Sequence, residues 1–77
     1  MKIELTYYGQ LAELTGTARE TIETDTDSSA ALRRALIERH PALRNRTFQL
    51  AADNEILAAE QALPTHRVDV FPPFSGG

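Results

Sequence analysis

The sequence predicts an α+β domain: a mixed sheet of four to five strands, one main helix on one face, and a short extra helix after the first strand. Three observations predict it. Period-two alternation opens the chain at Lys2 to Tyr8 and closes it at Arg67 to Phe71. One segment of helical period lies between them, bounded by Asp27-Ser28 and Pro41. The elements follow the order ββαβ(β)β, without internal repeats or a linker.

Each element has a local reason. Ile3, Leu5 and Tyr7 share one face of the first strand; Lys2, Glu4, Thr6 and Tyr8 share the other. Gly9 ends that strand, and Gln10 to Leu14 forms a short helical turn closed by Thr15-Gly16, where glycine suits the residue past a helix end. Thr17 to Thr24, rich in threonine around Ile22, is a second strand antiparallel to the first. A polar loop follows, in which Asp27 or Ser28 caps the main helix. Leu32, Ala35, Leu36 and the stem of Arg39 fall on one helical face. Pro41 stops the helix, because a residue before proline avoids the α region. From Thr47 to Ala52 the alternation returns, turning Phe48, Leu50 and Ala52 inward. Asp53-Asn54 is a turn, Glu55 to Ala58 a short strand, and Leu63-Pro64 enters the last connection. In the final strand Val68 and Val70 point one way and Arg67, Asp69 and Phe71 the other. A lone helix covers such a sheet only if the first and last strands are central neighbours. That is the β-grasp, or ubiquitin-like, arrangement.

Composition narrows the function. At 77 residues, 42% hydrophobic and 25% charged, the chain suits one globular domain near the smaller end for a single core. Cysteine is absent, which excludes a disulfide framework and any thiolate chemistry; the only sulfur is the thioether of Met1. No apolar run approaches the roughly 18–20 residues of a membrane span, and the alternating start is unlike a signal peptide. A soluble cytoplasmic protein without membrane partners is expected. A net charge of −3 argues against general nucleic-acid binding.

The most informative segment is the end, Phe71-Pro72-Pro73-Phe74-Ser75-Gly76-Gly77. A terminal glycine pair arises by chance in roughly one chain in two hundred, so the pair is read as functional. An ionised α-carboxylate is a poor electrophile until an ATP-using enzyme makes it an acyl-adenylate, which sulfur or amine nucleophiles can attack. Glycines without Cβ let another enzyme's narrow channel close around their backbone. Pro72 and Pro73 fix φ and lack N–H donors, so they favour an extended arm instead of a sheet ladder. At about 3.1 Å per residue, Pro72 to Gly77 projects on the order of 18 Å. Residues 1-71 are therefore read as the β-grasp domain and 72-77 as its tail.

This tail, together with the opening Leu5-Thr6-Tyr7-Tyr8-Gly9-Gln10-Leu11-Ala12-Glu13-Leu14-Thr15-Gly16, resembles the small-subunit family of molybdopterin synthase, the ubiquitin-like sulfur carriers. The resemblance covers the whole chain. It departs at Phe74, where the family often has a small aliphatic residue, and at Thr65-His66-Arg67, where it often has Gly-Asp.

The resemblance implies that Gly77 is adenylated by a ubiquitin-activating-like adenylyltransferase using MgATP and becomes a thiocarboxylate. It implies a large catalytic subunit whose active site receives Pro72, Pro73, Phe74, Ser75 and Gly76 as a threaded tail, in a heterotetramer of two small and two large subunits. There the carrier would give sulfur to cyclic pyranopterin monophosphate. The chain itself would be a non-catalytic sulfur donor, with no stably bound cofactor. The rival carrier family, that of thiamine thiazole synthesis, usually lacks the helical insertion and the Pro-Pro. A third reading is a protein modifier joined to lysines through Gly77. A β-grasp interaction domain with no terminal chemistry is the blandest.

If the first and last strands are parallel neighbours, Tyr8 and Phe71 face outward together at the root of the tail. They are the expected docking patch for the large subunit; the bland alternative folds Phe71 back on its own sheet. His40 and His66 have no ligand-spaced partner and are not expected to bind metal. Glu20, Glu23, Asp25 and Asp27 read as a solvated strand edge and helix cap. Arg33, Arg34, Arg39, Arg44 and Arg46 read as a solvated face suited to the negative helix end, with Arg44 or Arg46 available to steer docking.

Overall fold

The opening alternation becomes strand β1 (Lys2–Tyr7) in the computed structural model, which describes residues 1–73. Strands β2 (Arg19–Glu23), β3 (Gln49–Ala52), β4 (Glu55–Ile56) and β5 (Arg67–Phe71) complete one sheet, ordered β2-β1-β5-β3-β4. The first and last strands are parallel neighbours at its centre, with Leu5 beside Val68 and Tyr7 beside Val70. Every other pairing is antiparallel. The fold is the β-grasp that the element order predicts, in its five-strand form.

Two helices sit on this sheet. In α1 (Gln10–Thr15) Leu11 is buried, and Gly16 closes the helix at φ 81°, its N–H reaching the Ala12 carbonyl at 3.0 Å. Only glycine takes that left-handed conformation without strain. In α2 (Ser29–Arg39) the cap is Ser28, whose Oγ accepts from the Ala31 N–H at 3.2 Å. Replacing Ser28 by Ala should cost about 1 kcal/mol. A thermal melt should show this as a midpoint lowered by about 4–8 °C; an unchanged midpoint would show that the cap contributes nothing.

The buried side of α2 is Ser29, Leu32 and Leu36, which differs from the expected face at both ends. Ser29 is buried because the first turn of the helix lies under the loop after β4. Its hydroxyl donates to the Ala58 carbonyl at 2.9 Å and accepts from the Gln61 N–H at 3.0 Å. Arg39, whose stem was expected on the core face, instead lies half-exposed and reaches Glu20. Mid-helix, the Arg33 guanidinium stacks 4.6 Å over the Phe48 ring and donates to the Phe48 carbonyl at 2.7 Å. The helix stops at Arg39 and Pro41–Leu43 forms a 3-10 turn that buries Leu43.

The core between helices and sheet contains Ile3, Leu5, Ile22, Leu50, Val68 and Val70, all at most 5% exposed. Asp53 and Asn54 both adopt positive φ, 52° and 64°. This pair of left-handed residues matches the tight turn that a two-residue hairpin needs. Strand β4 is shorter than expected, yet Leu57 still donates to the Leu50 carbonyl at 2.8 Å and is buried. Among the described residues no helix is long and apolar enough to cross a membrane.

Candidate functional site

Because β1 and β5 run parallel, both deliver their final residues to the same end of the sheet. Tyr8 and Phe71 meet there with ring centroids 4.5 Å apart and planes only 6° from parallel. Tyr8 remains 41% exposed, while Phe71 is half-buried. The Tyr8 N–H donates to the Val70 carbonyl at 3.0 Å, carrying the central ladder up to the root of the tail. Of the two alternatives for Phe71, the structure has the one in which it meets Tyr8, the ring half-buried in the stacked pair.

Gly9 forms the corner against which the tail starts. Its φ is +58°, and a Cβ placed there would stand 3.4 Å from the Pro72 ring. That is ordinary contact distance, so Pro72 is seated against the strand–helix corner, and it is the positive φ that calls for glycine there. Phe74, Ser75, Gly76 and Gly77, the remaining tail residues singled out from the sequence, lie outside the described residues.

The apolar surface extends beyond the two aromatics. Ile56 is 54% exposed, opposite Ala51, and shares an open depression with Phe71, Asp69 and Asn54. Sequence reasoning missed Ile56 as part of the site. The signal was present: Leu57 turns inward, so its neighbour Ile56 must turn outward on the same face as Phe71. Farther along the open face the surface becomes polar, with Arg67 Nε 3.1 Å from a Glu4 carboxylate oxygen. Both partners are well exposed, and such pairs contribute little to stability.

A second cluster lies on the core side of the sheet, just beneath. The Tyr7 hydroxyl donates to Glu20 Oε1 at 2.6 Å, His40 Nε2 stands 2.6 Å from the same oxygen, and Arg39 Nε lies 3.2 Å from Oε2. The Tyr7 and His40 rings meet edge-on at 5.7 Å. Burial by itself would push the Glu20 carboxyl up; the hydrogen bonds from Tyr7, His40 and Arg39 outweigh it and hold the group below its ordinary value. Burial, then the bond to Glu20 and its charge, push the Tyr7 hydroxyl far up. The phenol is thus a neutral donor and the carboxylate an ionised acceptor, and the three contacts tie β1, β2 and the end of α2 together.

This corrects the assignment of Glu20 to a solvated edge, while Glu23 does remain exposed. Glu20 shares a face with buried Ile22, and that phase was readable in the strand. Among the described residues no group of three or more acidic or histidine side chains could hold a metal ion.

A parallel central strand pair, a helix-covered sheet and a proline arm leaving the last strand define a ubiquitin-like protein. The model of the ThiS family matches residues 5–77, and the chain belongs to that family of ubiquitin-like sulfur carriers. Among solved structures it is similar to SAMP1 from Haloferax volcanii, with 26% identity over 100% of both chains and a TM-score of 0.78. It is also similar to a putative molybdopterin converting factor, subunit 1, from Pyrococcus furiosus: 18% identity over 96% of this chain and 99% of that one, TM-score 0.66. The small archaeal modifier protein 1 of Methanosarcina acetivorans matches at 13% identity over 99% and 96%, TM-score 0.68. The last two likenesses show the fold alone. No curated protein sequence matches the chain. The class is therefore a ThiS-family sulfur carrier or ubiquitin-like modifier.

Proposed function

We propose that this protein is the sulfur carrier of molybdenum cofactor biosynthesis, with the Gly77 carboxylate as the reactive group. The observation that carries the reading is the ThiS-family match, which runs through Gly76-Gly77. The carboxylate attacks the α-phosphate of MgATP on an adenylyltransferase, releasing pyrophosphate. A sulfide-level sulfur donor then displaces AMP, leaving a thiocarboxylate whose sulfur is transferred to cyclic pyranopterin monophosphate inside a large catalytic subunit, water returning the Gly77 carboxylate. Helix α1 and the Pro72-Pro73 arm favour this acceptor over the thiazole of thiamine.

The large subunit docks on Tyr8, Phe71 and Ile56, with the tail from Pro72 onward threaded into its active site, two copies of each subunit forming the complex. Aromatic residues at the centre of an interface commonly contribute most of its affinity. Phe71→Ala should weaken association with the large subunit about tenfold, about 1.4 kcal/mol. The circular dichroism spectrum should stay folded, since only one stacked ring is lost. Unchanged affinity by calorimetry would remove this surface from the interface.

A second reading, a modifier conjugated to lysines through Gly77, is favoured by the likeness to SAMP1 at 26% identity. Affinity purification from the host separates the two: one larger partner in a stable complex supports the synthase, and a ladder of covalent conjugates supports the modifier.

A further inference from the structure

An activated C-terminus is a hazard to its own carrier, because acyl-adenylates acylate amines and thiolates. The chain has no cysteine, and of its eight lysine and arginine residues only Lys2 is lysine. Arginine keeps its guanidinium protonated and does not compete as a nucleophile. Two amines remain, the Lys2 ε-amine and the Met1 α-amine. The α-amine is engaged: it donates to the Thr24 carbonyl at 3.0 Å and lies 3.7 Å from the Glu23 carboxylate. Lys2 is exposed on the open face, and among the described residues its ammonium makes no hydrogen bond or ion pair.

Position decides whose C-terminus can reach it. Lys2 begins β1, and the parallel register sets Tyr7 beside Val70 at the other end. At about 3.3 Å per residue, Lys2 lies on the order of 20 Å back along the sheet from the root of the tail. Strand β5 heads away from Lys2, so the chain's own tail would have to reverse and stretch fully to return. A second copy has no such constraint.

We propose that Lys2 is a modification site, the acceptor for the activated Gly77 of another copy of this chain, giving head-to-tail isopeptide-linked chains. The inference rests on the adenylation of Gly77 proposed above. The neutral Lys2 amine attacks the Gly77 carbonyl of the mixed anhydride. A C–N bond forms, the C–O bond to phosphate breaks with its electron pair leaving on AMP, and the amine proton passes to solvent.

The test incubates the full chain with its host's activating enzyme and MgATP, first without and then with a sulfur donor, followed by intact mass and tryptic mapping. Without sulfur, a species of twice the chain mass less one water is expected. Its tryptic map should place the Val68–Gly77 segment as a branch on Lys2. Lys2→Arg should lose that species completely yet still exchange one oxygen for sulfur when the donor is present. A chain that charges with sulfur but never doubles in mass overturns the proposal. So does doubling that survives Lys2→Arg, which would place the bond on Met1. Failure both to charge with sulfur and to consume ATP would instead overturn the adenylation reading, and the Lys2 site with it.

Discussion

Deleting Gly77, or adding a single alanine after it, should abolish sulfur loading entirely. Incubated with activating enzyme, MgATP and a sulfur donor, the wild-type chain should gain the mass difference between sulfur and oxygen; neither variant should gain it. In the proposed reaction the effect is all-or-none because the reacting group is the terminal carboxyl itself. In the extended variant the Gly77 carbonyl is a peptide carbonyl, and the only terminal carboxylate belongs to the added alanine, one residue too far along and next to a Cβ. In the deletion variant a carboxylate remains, but it lies one residue short, and in the proposed enzyme a channel that closes around two residues without Cβ would hold it away from the nucleotide. Stability separates this loss from misfolding. Both changes lie beyond β5, so melts should agree with the wild type to within about 0.5 kcal/mol. Charging of the extended chain would show that activation does not require Gly77 at the end. A wild-type chain that never charges would favour a binding module whose tail has another use.

The sheet was legible because its faces are chemically distinct. Ile3, Leu5 and Tyr7 alternate with polar neighbours, and Val68 and Val70 do the same, so strand phase follows from burial alone. Once both strands were placed centrally, the meeting of Tyr8 and Phe71 followed from parallel direction. Features that depend on three-dimensional neighbours were less legible. Ser29 is buried only because the 58–61 loop folds over the helix start, and nothing near Ser29 in sequence announces that contact. The Gly9–Pro72 contact joins residues 63 positions apart, and its first sign in the sequence is merely a glycine after a strand. Ile56 and Glu20 were misjudged for another reason. Each carries a phase signal from one buried neighbour, Leu57 or Ile22, in a strand too short or too polar for the alternation to dominate.

Glu20→Gln should be among the most destabilising single changes that leave the apolar core untouched. The ionised carboxylate accepts from Tyr7 and His40 on one oxygen and pairs with Arg39 on the other. An amide keeps the volume but loses the charge, and it turns an NH2 toward either Arg39 or the Tyr7–His40 donors. Hydrogen bonds to a charged group contribute about 1.5–3 kcal/mol, and a buried donor left unpaired adds its own cost. A loss of about 2–3 kcal/mol is expected, equivalent to a melting midpoint lowered by about 10–20 °C in a domain this size. Tyr7→Phe removes one donor and leaves the carboxylate its other partners, so it should cost about 1 kcal/mol. In the double variant the two costs should fail to add, because they share one bond. The pH dependence gives a sharper test. The folded Glu20 carboxyl is held below its ordinary value near 4.5, so the folded state binds the proton less readily than the unfolded chain does. Its stabilisation is complete above that ordinary value and is lost as pH falls toward the folded one. Denaturant titrations at pH 5 and pH 3 should therefore show the gap between wild type and Glu20→Gln narrowing with acid. A gap that stays constant across that window would mean the carboxylate is not preferentially ionised in the fold, and the cluster would then act through shape alone.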